Sequence, residues 1–330
     1  MGSTRSTSTD GVGCSAKATR QLRLPDYRLL TVVAALLPAW LLAQSAGDVP
    51  YSRDGADTCL ACHSGPEVLG LFRTPHAVPT DARTPFGHGQ LQCEACHGPG
   101  GGHTARVRRG EERPSVVRFG RDADTAASVQ NGMCTGCHEA DTGFGWHTGP
   151  HARNDVACAD CHRSHTTEDA VLHASTQPAV CFDCHTTTRS ETRKAFTHPI
   201  AEGKMECGGC HSPHGATIDE QLKRQTVNDT CYECHAEKRG PWLWEHAPVT
   251  EDCTLCHAPH GSNHPGMLTR RAPLLCQGCH SERGHPSIAQ TPGGLPGGAM
   301  PSQFLLATGC LNCHEQVHGS NHPSGSRLMR

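Results

Sequence analysis

The chain is poor in the side chains that build an ordinary protein core. Aromatic residues are 4% of its 330 positions, with seven Phe, four Trp and three Tyr, and hydrophobic residues of every kind reach only 35%. A chain of this length would ordinarily close two domains over apolar interiors. This one has too little apolar surface to do so unaided, so something other than protein must supply much of what is buried. No alternation of apolar and polar residues is long enough to predict a sheet. No basic stripe marks a nucleic-acid surface, and the formal charge is −3. The apolar run Leu29 to Leu42 is about 14 residues long and contains Pro38, short of the roughly 20 that a spanning helix needs.

What the chain does have is cysteine and histidine, 21 and 25 residues. Twenty of the cysteines fall in ten copies of Cys-x-x-Cys-His. In chain order these are Cys59, Cys62 and His63; Cys93, Cys96 and His97; Cys134, Cys137 and His138; Cys158, Cys161 and His162; Cys181, Cys184 and His185; Cys207, Cys210 and His211; Cys231, Cys234 and His235; Cys253, Cys256 and His257; Cys276, Cys279 and His280; and Cys310, Cys313 and His314. Two thiols at this spacing can add to the two vinyl groups of one haem, and the adjacent imidazole then ligates its iron. Zinc sites and redox dithiols also pair cysteines, but neither requires histidine at the next position. Ten such histidines predict ten covalently held c-type haems, with the ten motif histidines as proximal ligands. The porphyrins would provide the missing apolar surface, and folding would depend on them.

Thioether attachment places the chain outside the cytoplasm. Lys17, Arg20, Arg23 and Arg28 precede the apolar run and Ala43-Gln44-Ser45-Ala46 follows it, the charged, apolar, small-residue order of a secretory signal cleaved near residue 46. An uncleaved membrane anchor is the alternative. Cys14, the cysteine left over, lies in the extension before this signal and is read as discarded with it or as part of a misassigned start. Removing residues 1–46 takes away five basic and two acidic side chains, leaving 24 and 30 and a formal charge of −6.

The remaining histidines repeat with a period of two motifs. His138 is followed by His151, the fourth motif and His165. His185 is followed by His198, the sixth motif and His214, and His235 by His246, the eighth motif and His260. The first pair has His76 and His103 in the corresponding places, and the last has His285 and His318. Residues 47–330 therefore read as one decahaem domain of five two-haem modules, 59–103, 134–165, 181–214, 231–260 and 276–318. The ten histidines in register supply one second imidazole per haem. His88, His147, His173, His264 and His322 fall outside the register and read as surface residues. Three residues span at most about 10 Å, so His165, His214 and His260 cannot cap the haem just before them and must serve a neighbour. Ligands lent between the two haems of a module are the expected tie.

The segment 104–133 is expected to hold a short helix near Asp124 to Gln130. Gly101-Gly102-His103 is expected to let backbone approach a haem. Pro286 to Pro301 reads as a flexible excursion. A carboxylate at Glu245, beside His246, could bond the outer nitrogen of that imidazole and lower one haem potential, the equal alternative being a solvated glutamate next to a ligand. The fold class expected is a multihaem cytochrome c: mostly irregular with short α-helices, little or no β-sheet, in an elongated body around a chain of ten haems.

Several stretches resemble a family. Lys238 to Val249 with its Trp242-Leu243-Trp244-Glu245-His246 core, Pro259-His260-Gly261-Ser262-Asn263, Glu202-Gly203-Lys204-Met205 and His318-Gly319-Ser320-Asn321 are similar to the DmsE/MtrA-type periplasmic decahaem cytochromes. The resemblance covers essentially all of residues 47–330, with departures at the long N-terminus and at a Gly/Pro insert over 291–298. It implies His76, His103, His151, His165, His198, His214, His246, His260, His285 and His318 as distal ligands. It also implies a conduit inside or against an outer-membrane β-barrel porin, taking electrons from a periplasmic or inner-membrane quinol-linked cytochrome and passing them to an outer-surface multihaem cytochrome or terminal reductase. A soluble periplasmic shuttle without a barrel partner is the runner-up. A multihaem reductase would need an open or Lys-ligated haem, and no Cys-x-x-Cys-Lys occurs.

Overall fold

The structure, a computed structural model, describes residues 49–142, 145–216, 219–280 and 309–329. The leader, Cys14, His285 and the 286–301 excursion lie outside the described residues. Val49–Arg330 form one unit, separate from Met1–Asp48. Its secondary structure is a succession of single helical turns and short helices. Among the described residues there is no strand, and sheet-like pairing is limited to isolated bridges such as Phe196 with Ser262 and Trp244 with Ser320.

The two-motif period shows in local structure. The first cysteine of each odd motif lies in a short α-helix: Ala56–Leu60, Ala127–Thr142, Gln177–Phe182, Val227–Tyr232 and Ala272–Gln277. Even motifs sit on single turns, Glu94–His97, Cys158–Asp160, Cys207–Gly209, Cys253–Leu255 and Gly309–Asn312. The start signals are local. Pro178 and Pro273 lie in the first turn of their helices, where a missing N–H costs nothing. Thr226 caps its helix by accepting from the Asp229 N–H at 2.9 Å. The helix expected near 124–130 runs instead from Ala127 to Thr142 and carries the third motif, breaking its dihedrals at His138 (φ −101°, ψ 23°).

One side-chain amide clamps the two motifs of each of the first four modules, buried in the second and fourth. Gln92 Oε1 accepts from Ala56 N–H at 2.6 Å, Asn131 Oδ1 from Cys158 N–H at 2.7 Å, Gln177 Oε1 from Gly208 N–H at 2.7 Å and Asn228 Oδ1 from Cys253 N–H at 2.8 Å. Asn131 and Asn228 return a bond through Nδ2 to Val156 O and Val249 O. In the first module the buried Glu94 also ties the chain start to motif 2, accepting from Ser52 N–H, Ser52 Oγ–H and Gly100 N–H at 2.6–2.8 Å. Burial pushes the Glu94 carboxyl up, but these donors outweigh it and hold its pKa below the ordinary value.

Successive modules are joined edge to edge. Gly215, at φ +115°, lies so close to Gly145 that a Cβ would strike its backbone, a contact only glycine allows. Gly101 abuts the N-terminal segment, where its N–H donates to Pro50 O at 2.8 Å.

Protein core is nearly absent. Only Ala56, Leu71, Trp146 and Ala157 are buried hydrophobic residues among those described, while Leu172, Leu255, Phe72 and Phe196 are exposed. These four line one continuous cavity of about 5670 Å³ that runs through the unit and touches all ten motifs. The apolar residues thus face an internal space that protein does not fill.

Candidate haem sites

In nine of the motifs the chain makes one turn that closes with a bond from the histidine N–H to the carbonyl of the first cysteine. It measures 2.8–3.0 Å, as for His63 on Cys59 and His314 on Cys310. That turn brings residues four apart to one edge, so both thiols and the imidazole present together.

The motif histidines are met by others. His63 faces His103 with ring centroids 6.3 Å apart, His97 faces His165 at 6.2 Å, and His138 faces His76 at 6.1 Å. His162 faces His214 at 5.9 Å, His185 faces His151 at 6.1 Å, and His211 faces His260 at 6.0 Å. His235 faces His198 at 6.3 Å, His257 faces His318 at 6.1 Å, and His280 faces His246 at 6.1 Å. The tenth, His314, would need His285, which lies outside the described residues. His88, His147, His173 and His322 are exposed, and none of the five histidines outside the register has such a ring partner.

The spacing suits an iron between the rings. A metal–imidazole bond is about 2 Å and the ring centroid lies roughly 1 Å beyond the nitrogen, which puts two rings on one metal about 6 Å apart. The hydrogen bonding suits it too. His97, His103, His151, His198, His211, His246, His257 and His314 each donate Nδ1–H to a backbone carbonyl at 2.6–2.9 Å, which leaves the Nε2 lone pair for a metal. Burial, and then the facing motif imidazole, lowers the pKa of His76, His165 and His214. Burial and Lys238, with His257, do the same for His318. In all four the shift favours the neutral form, the one that ligates a metal.

Two expectations are corrected here. Eight of the nine pairs join different modules: His76, His151, His198 and His246 reach forward to the next module, and His165, His214, His260 and His318 reach back to the previous one. Only His63 with His103 stays within a module. The reason is that the edge contacts between modules, not the two motifs of one module, bring the faces of the cavity together. Glu245 does not bond His246, whose Nδ1–H is taken by Val317 O at 2.9 Å, and Glu245 itself is exposed. Carboxylates reach other imidazoles: Asp169 bonds His162 at 2.8 Å and Glu191 bonds His260 at 3.3 Å. Neither was legible in the sequence, nor were the amide clamps. Asn131 and Asn228, each three residues before an odd motif's first cysteine, were the signal available.

The cysteines set the order of the sites. The first cysteines of paired motifs lie beside one another, Cys59 near Cys93, Cys134 near Cys158, Cys181 near Cys207, Cys231 near Cys253 and Cys276 near Cys310. Between modules the second cysteines lie near one another: Cys96 near Cys137, Cys161 near Cys184, Cys210 near Cys234 and Cys256 near Cys279. The motifs therefore adjoin in chain order from first to last. Among the described residues, no three His, Cys, Asp or Glu side chains converge as a closed zinc site would require.

Motifs on single turns, paired imidazoles and an apolar cavity in place of a core define a multihaem c-type cytochrome, an electron-transfer protein. Comparison with known proteins agrees. A doubled CXXCH motif model matches residues 198–240 and 246–285, and a cytochrome c-type protein NrfB-like model matches residues 93–178. The multiheme cytochrome MtrA of Shewanella baltica is 46% identical over 282 residues, covering 85% of this chain and 83% of the relative. The cytochrome c-type proteins NrfB of Escherichia coli and Haemophilus influenzae are each 28% identical, covering 46% of this chain and 77% and 73% of theirs. The chain belongs to the MtrA family of multihaem cytochromes, and it binds haem c through its Cys-x-x-Cys-His motifs.

Proposed function

We propose that the chain carries ten haems, each held by one motif and closed by a second histidine, and that electrons hop along them in chain order. The supporting observation is the set of nine imidazole pairs at 5.9–6.3 Å, which leaves no coordination position for substrate at those sites. In this reading His63, His97, His138, His162, His185, His211, His235, His257, His280 and His314 are proximal ligands. Their distal partners are His103, His165, His76, His214, His151, His260, His198, His318, His246 and, for the tenth, His285. The cofactor supplies the redox chemistry. The protein places the irons, fills their axial positions and keeps neighbouring haems in contact.

Membership of the MtrA family over most of the chain favours an exported, periplasmic conduit that works in an outer-membrane β-barrel porin. Its donor would be a periplasmic or inner-membrane quinol-linked cytochrome and its acceptor an outer-surface multihaem cytochrome or reductase. No helix among the described residues is long and apolar enough to cross a membrane. The deciding experiment is carbon monoxide titration of the dithionite-reduced holoprotein, with EPR of the oxidised form. No Soret shift and only low-spin ferric signals are expected. A carbon monoxide-binding fraction near one haem in ten, with a high-spin signal, would overturn the closed-wire reading. Co-purification with a β-barrel in detergent separates the conduit from a free periplasmic shuttle.

A further inference from the structure

The even motifs share a device with one exception. Their imidazoles donate Nδ1–H to a backbone carbonyl: His97 to Val117 O, His211 to Glu220 O and His257 to Gly266 O, each at 2.7 Å, and His314 to Arg327 O at 2.6 Å. In the fourth motif that place is taken by a side chain, and His162 donates to Asp169 Oδ2 at 2.8 Å. The Asp169 side chain is only 14% exposed, and its other oxygen, Oδ1, is buried with no protein donor. Asp160, inside the same motif, also buries an unpartnered oxygen, its other one accepting from Ala157 N–H at 2.9 Å. Two carboxylates with unspent acceptor capacity thus flank one site, and one of them is spent on the imidazole itself.

We propose that Asp169 makes the fourth haem the low-potential member of the even series, acting as a positioning and tuning residue through His162. A carboxylate bonded to Nδ1–H draws the proton toward itself and leaves the imidazole a stronger donor, which favours ferric over ferrous iron. A carbonyl at the same distance carries no net charge and does this less. The near-absence of solvent keeps the carboxylate field from being screened. Glu191 on His260 is the weaker version: its bond is longer, at 3.3 Å, its side chain is 34% exposed, and it also faces Lys194 at 3.8 Å. The fourth haem is therefore a step over which electrons pass rather than a place where they rest.

The inference rests on the proposed ligand pairing, so the test reads both. Redox titration of the holoprotein, with haem counted per chain, is compared for wild type, Asp169→Asn, Asp160→Asn and His214→Met. Asp169→Asn is expected to raise one of ten one-electron steps at least tenfold in its equilibrium constant, about 59 mV, and to leave the other nine in place. His214→Met, which weakens the other axial ligand of the same iron, is expected to raise that same step, and Asp160→Asn to raise it less. If His214→Met moves one step and Asp169→Asn moves none, the tuning role is overturned and the pairing stands. If the two move different steps, or His214→Met moves none, the pairing itself is wrong. An Asp160→Asn shift as large as that of Asp169→Asn would make the effect one of general field and overturn the proposal. Should Asp169→Asn lose haem, Asp169→Glu must keep both ten haems and the low step, and a raised step in it overturns the proposal.

Discussion

Replacing Asn228 by alanine tests whether the amide clamps hold the haem pairs together. Asn228 is 6% exposed and joins the seventh and eighth motifs, accepting from Cys253 N–H at 2.8 Å and donating to Val249 O at 2.9 Å. Each bond is worth about 1 kcal/mol net, and a buried amide left without its partner costs about 1–3 kcal/mol more. The local cost of opening the 249–257 segment should fall by about 3 kcal/mol, which is roughly a hundredfold in an equilibrium constant. Amide hydrogen exchange reads that opening directly and does not require the whole chain to unfold in one step. Cys253 N–H should exchange roughly a hundredfold faster in Asn228→Ala. Gly101 N–H, bonded to Pro50 O in the first module, should be unchanged. Asn131→Ala should do the same to Cys158 N–H. Exchange at Cys253 within about threefold of wild type would refute the clamp, because a bond that restrains the segment cannot be removed without loosening it.

Other outcomes follow from the same geometry. His246→Ala should open one haem, the ninth, giving a high-spin signal and carbon monoxide binding near one tenth of the total; a fully low-spin variant would refute the pairing with His280. Glu245→Gln should leave every haem potential unchanged, since Val317 O already holds the His246 Nδ1–H. Gly215→Ala should lower the yield of fully haem-loaded protein, because φ +115° and the facing Gly145 backbone leave no room for a methyl group. Glu94 has a folded pKa below its unfolded one, so its contribution to stability is present above the ordinary carboxylate range, near pH 4.3, and is lost as pH falls through the depressed value. Thermal unfolding between neutral and acid pH should show that loss in the wild type and not in Glu94→Gln.

How much was legible depended on range along the chain. The turn in nine of the motifs is closed by a bond between residues four apart, so Cys-x-x-Cys-His specified its own geometry there. The two-motif period was equally visible, because it is written in short spacings and reappears as helices on odd motifs and single turns on even ones. The shortage of apolar residues correctly pointed to a protein without a core of its own. Glu245, by contrast, is adjacent to His246 only in sequence, and a carbonyl from much further along the chain takes the nitrogen it would have used. Asp169, seven residues after His162, carried no sequence mark at all.

The sequence by itself determined the chemistry: which thiols could take a vinyl group, which imidazole would follow them, and how many second imidazoles were in stock. Those depend on covalent spacing and one turn of helix. Only the tertiary structure decided which imidazole faces which. That assignment runs through contacts such as His151 on the Pro213 carbonyl, 62 residues apart. Such contacts form where modules meet edge to edge, and a chain with so little core has few other surfaces on which to settle the matter.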